Sequence, residues 1–98
     1  MYDIQYLNPA EKYLKKIKDK NLLAAFKTAI DELKKNPYIG TLKVQDLSGI
    51  YCYDVMYARV NYEIAYRIYE EKNNNLIIVM LAGTRENFYE DLKRLNKK

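Results

Sequence analysis

No histidine occurs among the 98 residues, and cysteine occurs once, at Cys52. A lone cysteine cannot close an internal disulfide, and without histidine the usual Cys/His spacings of zinc sites cannot be written. No metal or other cofactor is expected, and a reducing cytoplasm suits such a chain best. Long apolar runs are missing as well. The longest, Leu76 to Ala82, falls far short of the roughly 20 residues that span a bilayer. The N-terminus lacks the basic-then-apolar pattern of an export signal. Neither membrane insertion nor secretion is expected.

What is present suits one compact domain over residues 1–98, because 98 residues that are 49% apolar can bury one core but not two. Lys and Arg number 17 against 13 Asp and Glu, and the net charge of +4 favours an anionic partner. Nucleic acid, a ribosome and an acidic protein all satisfy that charge.

Periodicity orders the elements. Tyr2, Ile4 and Tyr6 alternate with Asp3 and Gln5, the period of a strand with one buried face. Asn8 and Pro9 read as an N-cap and a first-turn proline, and Ala10, Leu14 and Ile17 then share a helical face that lysines flank. After a break near Asp19 to Asn21, Leu23, Phe26, Ile30 and Leu33 repeat at helical spacing until Asn36 and Pro37 stop them. Leu42 and Val44 suggest a short strand before the turn Asp46 to Gly49. In Ile50 to Tyr57, Tyr51, Tyr53, Val55 and Tyr57 share the face that meets the helices, and Cys52, Asp54 and Met56 share the other. A hairpin loop over Ala58 to Asn61 leads to Tyr62, Ile64, Tyr66 and Ile68, which alternate with Glu63, Ala65, Arg67 and Tyr69. The polar run Glu70 to Asn75 reads as a turn, Leu76 to Ala82 as an interior strand ended by Gly83, and Thr84 as the cap of a last helix bearing Phe88, Leu92 and Leu95.

The expected fold is α+β, in the order β-α-α-β-β-β-α, with an antiparallel sheet packed against a helical hairpin and a C-terminal helix. Its predicted core holds Leu14, Ile17, Phe26, Ile30, Leu33, Val55, Ile64, Ile68, Ile78, Met80 and Leu92.

Three words within this order carry a resemblance. Asp46-Leu47-Ser48-Gly49 precedes a tyrosine-rich strand, Tyr62-Glu63-Ile64-Ala65-Tyr66 forms the next, and Ala82-Gly83-Thr84-Arg85-Glu86-Asn87-Phe88-Tyr89 follows the last. Together they resemble the RelE/ParE superfamily of toxins from bacterial type II toxin-antitoxin systems, over nearly the whole chain. The resemblance implies a cytoplasmic toxin whose partner is a cognate antitoxin encoded by the adjacent gene. It further implies metal-independent cleavage of mRNA on the ribosome, an mRNA interferase activity. Two alternatives stay open: a ParE-like inhibitor that binds DNA gyrase without chemistry, and an inactive scaffold that serves only for interaction. One departure bears on the choice. Glu63 stands where many RelE-type toxins carry a phosphate-gripping arginine, and their paired lysines would fall near Asp54 and Met56.

Cleavage by a ribose 2′-hydroxyl needs a proton acceptor, donors for the phosphorane oxygens and a proton for the departing 5′-oxygen. Arg85 and Tyr89 are the catalytic candidates. Arg85 stays cationic and presents a planar fork to phosphate. Tyr89 could stack on a base, or transfer a proton were its pKa lowered. Arg67, Arg59 and Lys43 are the candidate RNA-binding cations. Glu63 is a candidate for the base. Simpler readings accompany each: a surface ion pair for Arg85, ordinary exposed positions for Arg67 and Arg59, and a solvated strand carboxylate for Glu63. Most of the 11 tyrosines fall on inward strand faces and read as core, with Tyr69 and Tyr89 set apart. Cys52 reads as packing.

Overall fold

The computed structural model describes residues 1–97. Strand β1 (Asp3–Tyr6) leads into helices α1 (Asn8–Lys16) and α2 (Lys20–Lys35). A 3-10 turn at Pro37–Ile39 and the two-residue strand β2 (Thr41–Leu42) follow, then a second 3-10 turn at Gln45–Leu47. The long hairpin comprises β3 (Tyr51–Tyr57) and β4 (Val60–Glu71), and β5 (Asn74–Thr84) precedes the final helix α3 (Phe88–Asn96). These strands form one five-stranded sheet in the order β1-β5-β4-β3-β2.

The α+β architecture agrees with the sequence reading, but four strands follow the helical hairpin where the order β-α-α-β-β-β-α has three, because the two-residue β2 pairs with β3 at the sheet edge. Several local boundaries move as well. β1 pairs parallel to β5, so the sheet is mixed rather than antiparallel throughout. The intervening α1–α2 hairpin and strands provide the long crossover that parallel pairing needs. Asn8 is already helical and caps nothing. The backbone N–H of Leu7 still donates to Val79 O (2.9 Å), so the helix begins directly where the strand ladder ends. Val44 lies outside β2 and is exposed. Most of the polar run read as a turn is strand: Glu70 pairs with Asn75 and Glu71 with Asn74, leaving Lys72 and left-handed Asn73 as the turn. The other hairpin also closes on two residues, Ala58 and Arg59, both left-handed, with Tyr57 paired to Val60. Two left-handed central residues match the right-handed twist of the flanking strands.

Alternation on β3 and β4 divides the interior between the two sheet faces. Phe26, Ile30 and Leu33 of α2 pack with Val55, Ile64, Tyr66, Ile77 and Val79 on one face. Phe88 and Leu92 of α3 pack with Ile50, Cys52, Ala65 and Met80 on the other. A bulge at Ala65/Tyr66 opposite Val79 and Leu81 shifts the register and puts both Met80 and Leu81 on the α3 side, while Ile77, Val79 and Ala82 face the helical hairpin. Of the predicted core, Leu14, Ile17, Ile68 and Ile78 are only half-buried. Leu14 and Ile17 line an open groove of about 350 Å³ between α1 and α2. Ile78 pairs with Arg67 on the α3 side of the sheet, beyond the residues that α3 covers.

Tyrosines fill the helix-facing layer as expected. Tyr2, Tyr6, Tyr13, Tyr51, Tyr53, Tyr57, Tyr62 and Tyr66 all belong to that cluster. Tyr66 is fully buried, donates to Pro37 O (2.6 Å), and its hydroxyl occupies the space a side chain at Gly40 would need. Tyr38 departs from the pattern. Half exposed, it joins Tyr2 in donating to Glu70.

Asp19 ties the second helix to the sheet. Its Oδ1 accepts from the backbone N–H groups of Asn21 (2.9 Å) and Leu22 (3.2 Å), and its Oδ2 accepts from the Tyr57 hydroxyl (3.0 Å). The Leu22 N–H, then the Tyr57 hydroxyl, hold this carboxyl below its ordinary range. A depressed folded pKa confers stability that is complete above the unfolded value of about 3.9 and lost as pH falls through the folded value. Asp19→Ala is therefore expected to lower the melting temperature at neutral pH, with the deficit narrowing in strong acid. Circular-dichroism melts across that pH range check it, and a deficit that does not change with pH would reject the carboxylate's role.

Candidate functional site

The site forms where α3 stops covering the sheet. On its α3-facing side β4 presents Asn61, Glu63, Ala65, Arg67 and Tyr69 in turn. Ala65 and its cross-strand neighbour Cys52 are small, and the first turns of α3 settle on them through Phe88 and Leu92. Burial pushes the Cys52 thiol up to about 12, against the opposing pull of Lys43, so this cysteine is packing and not a thiolate. Beyond Ala65, at the rim of that cover, lies Glu63.

Glu63 is the site's centre, and it is not the solvated carboxylate expected from an outward strand position. It is 1% exposed, the one buried charged residue among the described residues. Tyr89, in the first turn of α3, donates its hydroxyl to Glu63 Oε1 at 2.6 Å. Arg85, in the turn between β5 and α3, places Nε 3.8 Å from Glu63 Oε2. Its side chain is 62% exposed, so the pair is long and half in water. Glu63 Oε2 is buried without a hydrogen-bond partner, an arrangement that costs free energy unless something is made to occupy it.

Arg85 and Tyr89 meet through Glu63 and not along a helix. Thr84 does not cap α3, because it pairs with Tyr62 as the last residue of β5. Helix α3 begins three residues after Arg85, behind Asn87 in a left-handed conformation. The backbone N–H of Arg85 donates to Asn61 O (3.1 Å), which clips this turn to β4. The Tyr89 hydroxyl is raised above its ordinary range, first by burial and then by the bond to and charge of Glu63. It is a proton donor at neutral pH, contrary to the lowered pKa that proton abstraction would need.

Lys43 completes the group, with Nζ 5.0 Å from the centroid of the Tyr89 ring. Arg67 does not join it. Its Nη2 donates to Asn96 Oδ1 (2.8 Å) and its Nη1 contacts Ser48 O (3.5 Å), while Asn96 in turn donates to Asp46 O (3.0 Å). Gly49, left-handed at φ +86°, leaves room for that guanidinium, which a side chain there would obstruct. Arg67 thus fastens the end of α3 to the loop before β3. Arg59 stands exposed in the hairpin turn, four residues before Glu63, or about 14 Å at most at roughly 3.4 Å per residue. The structure brings Arg85 and Tyr89 onto Glu63, sets Lys43 beside the Tyr89 ring, and leaves Arg67 and Arg59 apart. The sequence reading missed the burial of Glu63; the signal that could have found it is the small pair Cys52 and Ala65 beside it, which suits a strand face covered by a helix.

The sequence profile of the family described as the ParE-like toxin of type II bacterial toxin-antitoxin systems matches residues 4–93. The chain belongs to this family. The fold of the toxin is similar to a chain of the toxin-antitoxin complex RelBE2 from Mycobacterium tuberculosis, at 20% identity and a TM-score of 0.64, covering 86% of the toxin and 98% of that chain. It is similar to the YoeB/ParE toxin from Agrobacterium tumefaciens, at 11% identity and a TM-score of 0.69, covering 85% and 98%. A doubly substituted mutant of Escherichia coli RelE in the free state matches at 19% identity and a TM-score of 0.69, covering 95% and 96%. Among curated proteins none matches the toxin's sequence. The toxin is thus one half of a type II pair, and its partner is an antitoxin. No helix among the described residues is long and apolar enough to cross a membrane.

Proposed function

We propose that the toxin cleaves mRNA on the ribosome and that Glu63, Arg85 and Tyr89 act together on the scissile phosphodiester. The observation that carries this reading is their convergence: a buried carboxylate with one unpartnered oxygen, a cation 3.8 Å away and a protonated hydroxyl 2.6 Å away, from three separate elements. Glu63 Oε2 takes the proton of the ribose 2′-hydroxyl. The 2′-oxygen attacks the adjacent phosphorus, and Arg85, moved from Glu63 onto the phosphate, stabilises the phosphorane oxygens. Tyr89, kept protonated, gives a proton to the departing 5′-oxygen. The products are a 2′,3′-cyclic phosphate and a 5′-hydroxyl. Lys43 adds positive charge beside the Tyr89 ring, where the nucleotide passes.

A second reading has its own support. Arg85 already faces a carboxylate and Arg67 is consumed by Asn96 and Ser48, so two cations that a polyanion would use are partly spent. That favours a ParE-like toxin that inhibits DNA gyrase by binding. One experiment separates the two. Purified toxin is added to a reconstituted translation reaction, mRNA ends are mapped, and gyrase supercoiling is assayed in parallel, each with and without the product of the adjacent gene, proposed as the antitoxin. Ribosome-dependent cuts ending in cyclic phosphate, silenced by that partner, are expected. Intact mRNA with blocked supercoiling would replace the nuclease reading by the second.

A further inference from the structure

We propose that Asn61 reads the base on the 5′ side of the cut, and that the toxin selects a base carrying an exocyclic amino group, adenine, cytosine or guanine, over uracil. This rests on the nuclease reading above. Two side-chain oxygens among the described residues are buried without a hydrogen-bond partner: Glu63 Oε2 and Asn61 Oδ1. They are two residues apart on one face of β4, and Arg85 adjoins both residues, Asn61 through its backbone carbonyl. Its side chain approaches Glu63 and its backbone N–H is held by Asn61 O. Two orphaned acceptors at one place call for a ligand that supplies two donors.

A nucleotide meets that demand. With its 2′-hydroxyl donating to Glu63, its base lies along the strand toward Asn61, about 7 Å further on, a distance that a ribose and its base can bridge. An amino group there donates to Asn61 Oδ1. Uracil carries a carbonyl oxygen where cytosine has its amino group, and that oxygen set against Asn61 Oδ1 would leave this acceptor unpaired. Across the hairpin, Met56 is paired with Asn61 and is 68% exposed, so an apolar surface adjoins the acceptor on which a base can rest. Asp54, paired with Glu63, extends the row of acceptors and adds no competing donor. Arg85 is the lid of this arrangement. Its exposed side chain leaves Glu63 as it follows the phosphate, and that movement frees Glu63 Oε2.

The test is a map of cut sites in the reconstituted translation reaction with mixed-sequence mRNA, comparing wild type with Asn61→Ala and Asn61→Asp. The readout is base frequency immediately 5′ of the cut, taken as a ratio within each variant's own cuts so that overall rate does not enter. Wild type is expected to disfavour uracil about five-fold or more, the worth of a hydrogen bond and an avoided unpaired acceptor. Asn61→Ala should abolish the bias. Asn61→Asp, which keeps an acceptor there, should preserve it, so the assignment survives even if the alanine variant does not fold. Cuts with uracil as frequent as the other bases, or a bias that Asn61→Ala leaves intact, would overturn this proposal and leave the nuclease reading standing. An intact bias in Asn61→Ala accompanied by a need for more antitoxin to silence it would assign the acceptors to a cationic side chain of the partner. Absence of any cleavage removes both readings.

Discussion

Glu63→Gln is expected to slow mRNA cleavage by roughly 10² to 10⁴, the usual contribution of a general base, while leaving the protein as stable as before or more so. The two halves of this expectation share one cause. The carboxylate is buried with one oxygen unpartnered and the other held by Tyr89, and a buried charge so thinly paired is destabilising by itself. Glutamine has nearly the same shape and no charge, so it removes that penalty together with the base. Single-turnover cleavage and a urea denaturation series on the same preparation read both quantities. A variant that cuts at the wild-type rate would end the assignment of Glu63. One that fails to fold would make Glu63 a structural residue. Arg85→Ala, which removes a donor aimed at the phosphorane, should cost on the order of 10² to 10³ with little change in folding, since its side chain is mostly in solvent. Tyr89→Phe distinguishes two roles for the ring. A large loss implicates the hydroxyl as proton donor, and retained cleavage reduces it to a stacking surface.

Phe26→Ala is expected to destabilise the fold by about 3 to 5 kcal/mol, a large share of the roughly 5 to 15 kcal/mol available to a domain of this size. Phe26 is 0% exposed and meets two tyrosines edge-on, with ring centroids 6.1 Å away at Tyr13 and 5.6 Å at Tyr62. It therefore joins α1, α2 and β4 at one point. Truncation loses its own burial, leaves a cavity that three rigid elements cannot close, and removes both edge contacts. The urea midpoint should fall with the denaturant slope unchanged. A shift worth less than about 1 kcal/mol, the centre of the range for ordinary substitutions, would place the core elsewhere.

Sequence alone determined the features that depend on local backbone period. The alternation from Tyr51 to Tyr57 and from Tyr62 to Ile68 assigned both sheet faces, because successive side chains on a strand point oppositely whatever packs on them. The spacing of Phe26, Ile30 and Leu33 defined the buried side of α2 for the same kind of reason. The words around Arg85 and Tyr89 carried the family resemblance and placed both residues after the last strand. Element ends were less legible. An apolar signal stops at Ala82, yet β5 continues through Thr84 because Glu63 and Tyr62 still offer backbone partners, and a ladder depends on its neighbour as much as on its own side chains. Only the tertiary structure decided the chemistry of the site. Tyr89 and Glu63 are 26 residues apart, and Arg67 and Asn96 are 29 apart. Whether a strand carboxylate is solvated or buried, and whether an arginine is free or pinned, depends on where α3 comes to rest across the sheet. That placement is fixed by the burial of Phe88 and Leu92 against Cys52, Ala65 and Met80, a contact among distant segments that no local period encodes.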